Sequence, residues 1–143
     1  MADRVAWGEA TLADIDAVPH VARLLACAGS ADRGDDQLVH GDLTGNVLFA
    51  PGQPPAVIDL SPYWRPPGYA YAVVVADALV WEGADENLLA SLSCVGDPGR
   101  HLARALVFRL VTSHLAGGID PAMAGRHTRA VDLACRLAAA RSG

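Results

Sequence analysis

Between residues 37 and 60 the chain changes character every few positions, and no long helix can run through it. Three short apolar runs, at 37–40, 46–49 and 56–60, are separated by Gly41-Asp42-Leu43-Thr44-Gly45 and by Ala50-Pro51-Gly52-Gln53-Pro54-Pro55. Runs of this length bounded by glycine and proline predict short β-strands joined by turns. The next stretch, 61–68, holds Pro62, Pro66 and Pro67 around Tyr63, Trp64 and Arg65. Proline fixes φ and removes a backbone donor, so an irregular loop is expected there.

Helical spacing dominates on both sides. Residues 14–28 place Ile15, Val18, Val21, Leu24 and Leu25 on one face, with Asp16 able to cap, Pro19 in the tolerant first turn and Gly29 able to terminate. A polar run at 30–36 then reads as a surface loop. After Tyr69 helices are expected at 70–81, 85–92 with Asp85 as a cap, 100–115 stopped by Gly117-Gly118, and 121–140. Within the third, Leu102, Ala105, Leu106, Arg109, Leu110 and Ser113 mix apolar and polar groups at i, i+3, i+4 spacing. Asp77, inside the first, is a candidate buried anchor for a loop. The sum is a mostly helical α+β domain with a small strand cluster. At 143 residues and 52% hydrophobic, positions 1–143 are enough for one core and too few for two.

Charge narrows the partners. A net charge of -5 argues against nucleic acid, whose phosphates call for clustered cations. All eleven cationic side chains are arginine, a bias that a GC-rich coding sequence explains. Cys27, Cys94 and Cys135 are far apart and odd in number, which points to neither a zinc site nor a disulfide framework. Neither a signal-peptide core nor an apolar stretch of roughly 18 residues is found, so the expectation is a cytoplasmic protein with no membrane segment.

The chemistry concentrates in Leu38-Val39-His40-Gly41-Asp42-Leu43-Thr44-Gly45-Asn46-Val47-Leu48-Phe49 and in Val57-Ile58-Asp59. Polar residues just past the ends of apolar strands stand on a rigid support and can converge on a cleft. Magnesium takes oxygen ligands and keeps several waters, so Asn46 and Asp59 suit a metal completed by phosphates. Asp42 is then left to orient a substrate hydroxyl and accept its proton. Taken singly, Asp42, Asn46 and Asp59 also read as turn caps. His20, His101, His114 and His127 have no partners at metal-ligand spacing and read as surface or helix-packing residues.

His40-Gly41-Asp42-Leu43 with Asn46-Val47-Leu48 resembles the catalytic loop of aminoglycoside phosphotransferases, relatives of protein kinases. Ile58-Asp59 resembles the strand-end metal aspartate of those families. Trp7-Gly8-Glu9 and the stretch from Ile58 to Pro66 resemble a bacterial branch of the same superfamily. The resemblance implies a kinase-like C-terminal lobe with Asp42 as base, His40 as a catalytic-loop residue that braces the loop, and Asn46 and Asp59 as ligands for Mg²⁺ with ATP; by its chemistry alone His40 also reads as a general base. It implies phosphoryl transfer to a small-molecule hydroxyl. No glycine-rich strand-turn-strand precedes residue 38 and no lysine is available for ATP phosphates, so the N-terminal ATP-gripping lobe is expected to be absent. The loop is also one residue short between Leu43 and Asn46, where Gly45 can take positive φ and tighten the turn. Tyr63, Trp64 and Arg65 form a candidate substrate platform, or else pack the proline-rich loop. The competing reading is a non-catalytic, pseudokinase-like lobe that dimerises or binds a complementing chain; a metal-dependent hydrolase using the same carboxylates is a third.

Overall fold

Asp97 and Pro98 start the helix on which the rest of the molecule packs. The Asp97 carboxylate accepts the Arg100 backbone N–H at 3.1 Å, and Pro98 occupies the first turn, where its missing N–H costs nothing. This helix, Pro98–Leu115, is buried from Leu102 to Val111 apart from the partly exposed Arg109. The computed structural model describes residues 1–31, 33–94 and 96–140, with the side chain of Cys94 outside it. In chain order the elements are α1 (Ala2–Ala6), a 3-10 turn (Ile15–Ala17), α2 (Val21–Ala28), β1 (Gln37–His40), β2 (Val47–Leu48), β3 (Ala56–Val57) and β4 (Pro62–Arg65). They continue with α3 (Pro67–Trp81), a 3-10 segment (Glu86–Cys94), α4 (Pro98–Leu115) and α5 (Pro121–Ala140).

Helices α1, α2, α3 and α5 surround α4, and one apolar core runs through Val5, Trp7, Leu24, Tyr69, Val73, Leu106, Leu110 and Val131. The strands stand at one side as two antiparallel pairs, β1 with β4 and β2 with β3. The fold is α+β, as expected. Among the described residues no helix is long and apolar enough to cross a membrane.

Four expectations need correction. Residues 14–28 do not form one helix. Pro19 disfavours the helical conformation in the residue before it, so Val18 is extended at ψ 111°, His20 turns left-handed at φ 66°, and α2 begins only at Val21. The 61–68 stretch is not wholly irregular, because Pro62 opens β4 and Pro66 holds Arg65 extended before α3. The segment after Asp85 winds as a 3-10 helix. Of the 30–36 loop, Asp32 lies outside the described residues.

The fourth correction concerns sulfur. Cys27 on α2 and Cys135 on α5 are bonded across a Cα separation of 5.3 Å. They lie 108 residues apart in the chain, so only the packing of α2 on α5 brings them together.

Helices α4 and α5 approach closely at Gly99. A Cβ there would run into the backbone of Ala138 and come within 2.6 Å of the Leu137 carbonyl carbon. Backbone cannot swing aside as a side chain can, so Gly99→Ala must push the two helices apart. Urea denaturation is expected to show a loss on the order of 2–3 kcal/mol.

Stability should also fall with acid in two separate windows. Burial lowers the pKa of His127 from 6.5, and the nearby His20 and Arg126 charges add to this against an opposing bond to the Met123 carbonyl. The unfolded chain therefore takes up a proton that the folded one resists, and stability declines as pH falls below 6.5. Glu9 is held below 4.5 chiefly by its hydrogen bond from Arg65, so its contribution is lost only as pH falls below 4.5. Denaturation midpoints across this range should flatten in the upper window for His127→Gln and in the lower one for Glu9→Gln.

Candidate active site

β1 delivers His40 to the edge of a turn that is tied to two neighbouring strand ends and to α4. The Gly41 N–H donates to the Ser61 carbonyl at 2.9 Å, extending the β1–β4 pairing by one bond. A Cβ on Gly41 would enter the ring of Tyr63, so the residue between His40 and Asp42 must be glycine for the turn to lie against β4. His40 Nδ1 accepts the Asp42 backbone N–H at 3.0 Å. That bond assigns the proton of the neutral ring to Nε2, which faces the Ile58 carbonyl at 3.4 Å. His40 thus spans the turn and the strand end that carries Asp59, which is bracing geometry.

The turn closes through Asn46. Its backbone N–H donates to the Leu43 carbonyl at 2.9 Å and its Nδ2 to the Asp42 carbonyl at 2.8 Å. Gly45 sits at φ 80°, a left-handed conformation that tightens the turn before Asn46. The Ile58 N–H in turn donates to the Asn46 carbonyl at 3.0 Å. His40, Asp42, Asn46 and Asp59 therefore belong to one hydrogen-bonded backbone unit. Asp59 itself is exposed at φ 49°, a conformation Asp tolerates better than most residues.

The Asp42 side chain is gripped from the helices. Arg109 of α4 donates through Nη2 to Asp42 Oδ1 at 2.7 Å, and through Nε and Nη2 to the two oxygens of Asp77 on α3 at 2.7 and 2.5 Å. Asp77 is 4% exposed. Burial opposes the Arg109 charge, but the bonds and charges of Asp77 and then Asp42 outweigh it and raise the pKa. A single guanidinium fork therefore joins α3, α4 and the turn. The expected role of Asp77 as a buried anchor is met, one side chain removed. Arg109 was missed as a site residue although it stood in view, a cation at helical spacing among Leu102, Leu106 and Leu110 that needed a carboxylate.

A cleft of about 470 Å³ opens beside this pair, lined by Asp42, Ser61, Tyr63, Phe108, Arg109 and Thr112. Its volume falls in the range of small-molecule sites. Tyr63 packs edge-on against Phe108 at 5.8 Å, and burial, with the charges of Asp3 and Asp42, raises its pKa so that it stays a hydroxyl donor.

Tyr63, Trp64 and Arg65 do not make a common platform. Along β4, Tyr63 and Arg65 turn inward and Trp64 outward. Arg65 is engaged by the Asp3 carboxylate through Nε at 3.0 Å and a second bond through Nη2, and by Glu9 at 2.8 and 3.0 Å. Its guanidinium also lies 5.0 Å from the centre of the Trp7 ring. The Trp7-Gly8-Glu9 segment and the β4 segment thus meet at Arg65, as structural partners away from the cleft. The sequence carried no signal that Asp3 takes part.

Among the described residues no group of three or more His, Cys, Asp or Glu side chains is placed to hold a metal. What the loops offer is sparser. With Nδ2 committed, Asn46 retains its amide oxygen, and the exposed Asp59 carboxylate makes no bond to the described residues. One amide oxygen and one carboxylate suit magnesium held jointly with phosphates and do not suit an all-protein cage. The chain matches no protein-family model, no curated protein and no solved structure.

Asp77→Ala removes the principal partner of a largely buried cation. Such a change is expected to cost on the order of 3 kcal/mol in urea denaturation, with much of that recovered when Arg109→Met is added. Amide exchange at Asn46 and Ile58 should accelerate in the single variant.

Proposed function

We propose that residues 1–143 form the metal- and substrate-binding part of a kinase-like phosphotransferase acting on the hydroxyl of a small molecule. The observation that carries this reading is His40, whose ring bridges the turn bearing Asp42 to the strand end bearing Asp59. A phosphoryl-transfer site needs a carboxylate for the hydroxyl and oxygen ligands for the phosphates' cation, held at fixed separation. The bridge supports that arrangement.

Asp42 Oδ1 is committed to Arg109, which orients the carboxylate, and Asp42 lines the cleft with Oδ2 left for the acceptor. The acceptor oxygen attacks the terminal phosphorus of a nucleoside triphosphate, the bond to the bridging oxygen breaks, the nucleoside diphosphate leaves, and the hydroxyl proton passes to Asp42. Asn46 and Asp59 would hold Mg²⁺, which supplies charge neutralisation on the phosphates. Tyr63 offers a hydroxyl for orienting the acceptor, Thr112, whose proton goes to the Phe108 carbonyl at 2.7 Å, offers only its oxygen as a hydrogen-bond acceptor, and Phe108 offers an apolar wall.

A second reading, a non-catalytic lobe that binds a protein partner or a second copy, draws on a different observation. Leu38 and its cross-strand neighbour Trp64 are 64% and 61% exposed on the outer face of β1 and β4. Leu48, Phe49, Val57, Ile58 and Leu60 are also exposed. Apolar area of this kind favours association.

Titration with Mn²⁺ and ATP separates the two. On the phosphotransferase reading, NMR signals of residues 42–46 and 58–60 broaden at millimolar Mn²⁺-ATP, and Asp59→Ala abolishes the effect. Absence of broadening, together with a dimer in light scattering that Trp64→Ser dissociates, would establish the non-catalytic reading instead.

A further inference from the structure

A second cavity, of about 180 Å³, lies away from the Asp42 turn, where the start of α4 passes the ends of α1 and α2. Its wall includes Trp7, Asp35, Asp97, Arg100 and Arg104. Arg104 is only 4% exposed, and it donates to the Ala6, Ala28 and Gly29 carbonyls at 2.8, 3.2 and 2.9 Å. These are helix ends, whose partial negative charge eases the guanidinium's burial. No carboxylate among the described residues lies within ion-pair distance of it, unlike Arg65 and Arg109.

Arg100 sits beside it. Its guanidinium lies over Gly29, where a Cβ would be 3.6 Å from Cζ and Nη1, and it shares Asp97 at 3.3 Å. Arg104 donates to the Gly29 carbonyl at 2.9 Å, so both guanidinium groups converge on Gly29, and burial followed by the Arg100 charge lowers the Arg104 pKa. The Trp7 ring lies 4.6 Å from Arg104, and its Nε1–H is buried with no hydrogen-bond partner among the described residues. Two guanidinium groups on the wall of one small cavity, one of them without a carboxylate partner among the described residues, call for an acceptor carrying negative charge.

We infer that this cavity is a binding site for a small oxyanion, a phosphate or carboxylate group, seated between Arg100 and Arg104 beside Trp7. The site is separate from the Asp42 cleft and does not depend on the phosphotransferase reading. Asp35 and Asp97 line the same cavity with carboxylates, Asp97 already paired with Arg100, and both oppose an anion and so limit its affinity.

The chain has three tryptophans, so three indole N–H signals report on it, and Trp64→Phe and Trp81→Phe assign that of Trp7. Titration with inorganic phosphate and with malonate, against chloride at equal ionic strength, is expected to move the Trp7 signal saturably with at least one oxyanion. Which of the two binds more tightly distinguishes a phosphate from a carboxylate site. Arg100→Gln, at a half-exposed position, should weaken binding about tenfold or more, as expected for loss of a charged hydrogen-bond partner. Asp35→Asn should tighten it several-fold, and Asp42→Ala should leave it unchanged. No saturable shift up to about 20 mM of either oxyanion, an equal shift with chloride, or an undiminished response in Arg100→Gln would overturn the assignment.

Discussion

A helix enclosed on nearly all sides must find a partner for every charge it carries inward, and this requirement organises the molecule around α4. Arg104 and Arg109 are both drawn into the interior. The first collects carbonyls from the ends of α1 and α2; the second takes the carboxylates of Asp77 and Asp42. Removing either partner set would strand a cation in a medium that solvates it poorly. Both arginines, and Arg65 on β4, use several N–H groups in a planar fork. An ammonium cannot reproduce that geometry, which gives the lysine-free composition a structural use whatever its coding origin.

The turn at residues 40–46 owes its shape to this framework as much as to its own residues. Local bonds set its curvature: His40 to the Asp42 amide, Gly45 in the left-handed region, Asn46 back to Asp42. Its position is set from outside, by the Tyr63 ring against Gly41 and by the Arg109 fork. A short polar turn on a marginal pair of strands would wander on its own, since two-stranded sheets have little independent stability. Here the helices supply the rigidity that the strands lack.

Local signals in the sequence reached about as far as local physics does. The strand at 37–40, the helix at 121–140, the positive φ at Gly45 and the anchoring part of Asp77 all follow from periodicity, turn chemistry or a carboxylate within an apolar run. What escaped depends on partners distant in the chain. β4 was hidden because prolines argue against strands, yet Pro62 stands at the first position, where it is tolerated, and β1 is its partner. Asp3 and Glu9 gave no sign of meeting Arg65 some sixty residues on. Pro19 was placed in the first turn of a helix that in fact starts after it, an error of register that the extended Val18 explains.

The Cys27–Cys135 bond closes a loop spanning 108 residues, and within that loop lie β1 to β4, α3 and α4. The covalent topology of residues 27–135 is therefore that of a ring. A protease that cleaves the exposed 50–55 turn would open the ring without releasing a fragment, and the two pieces would part only when the sulfur bridge is reduced. Integrity judged under reducing conditions and integrity in the folded molecule are, for this chain, different properties.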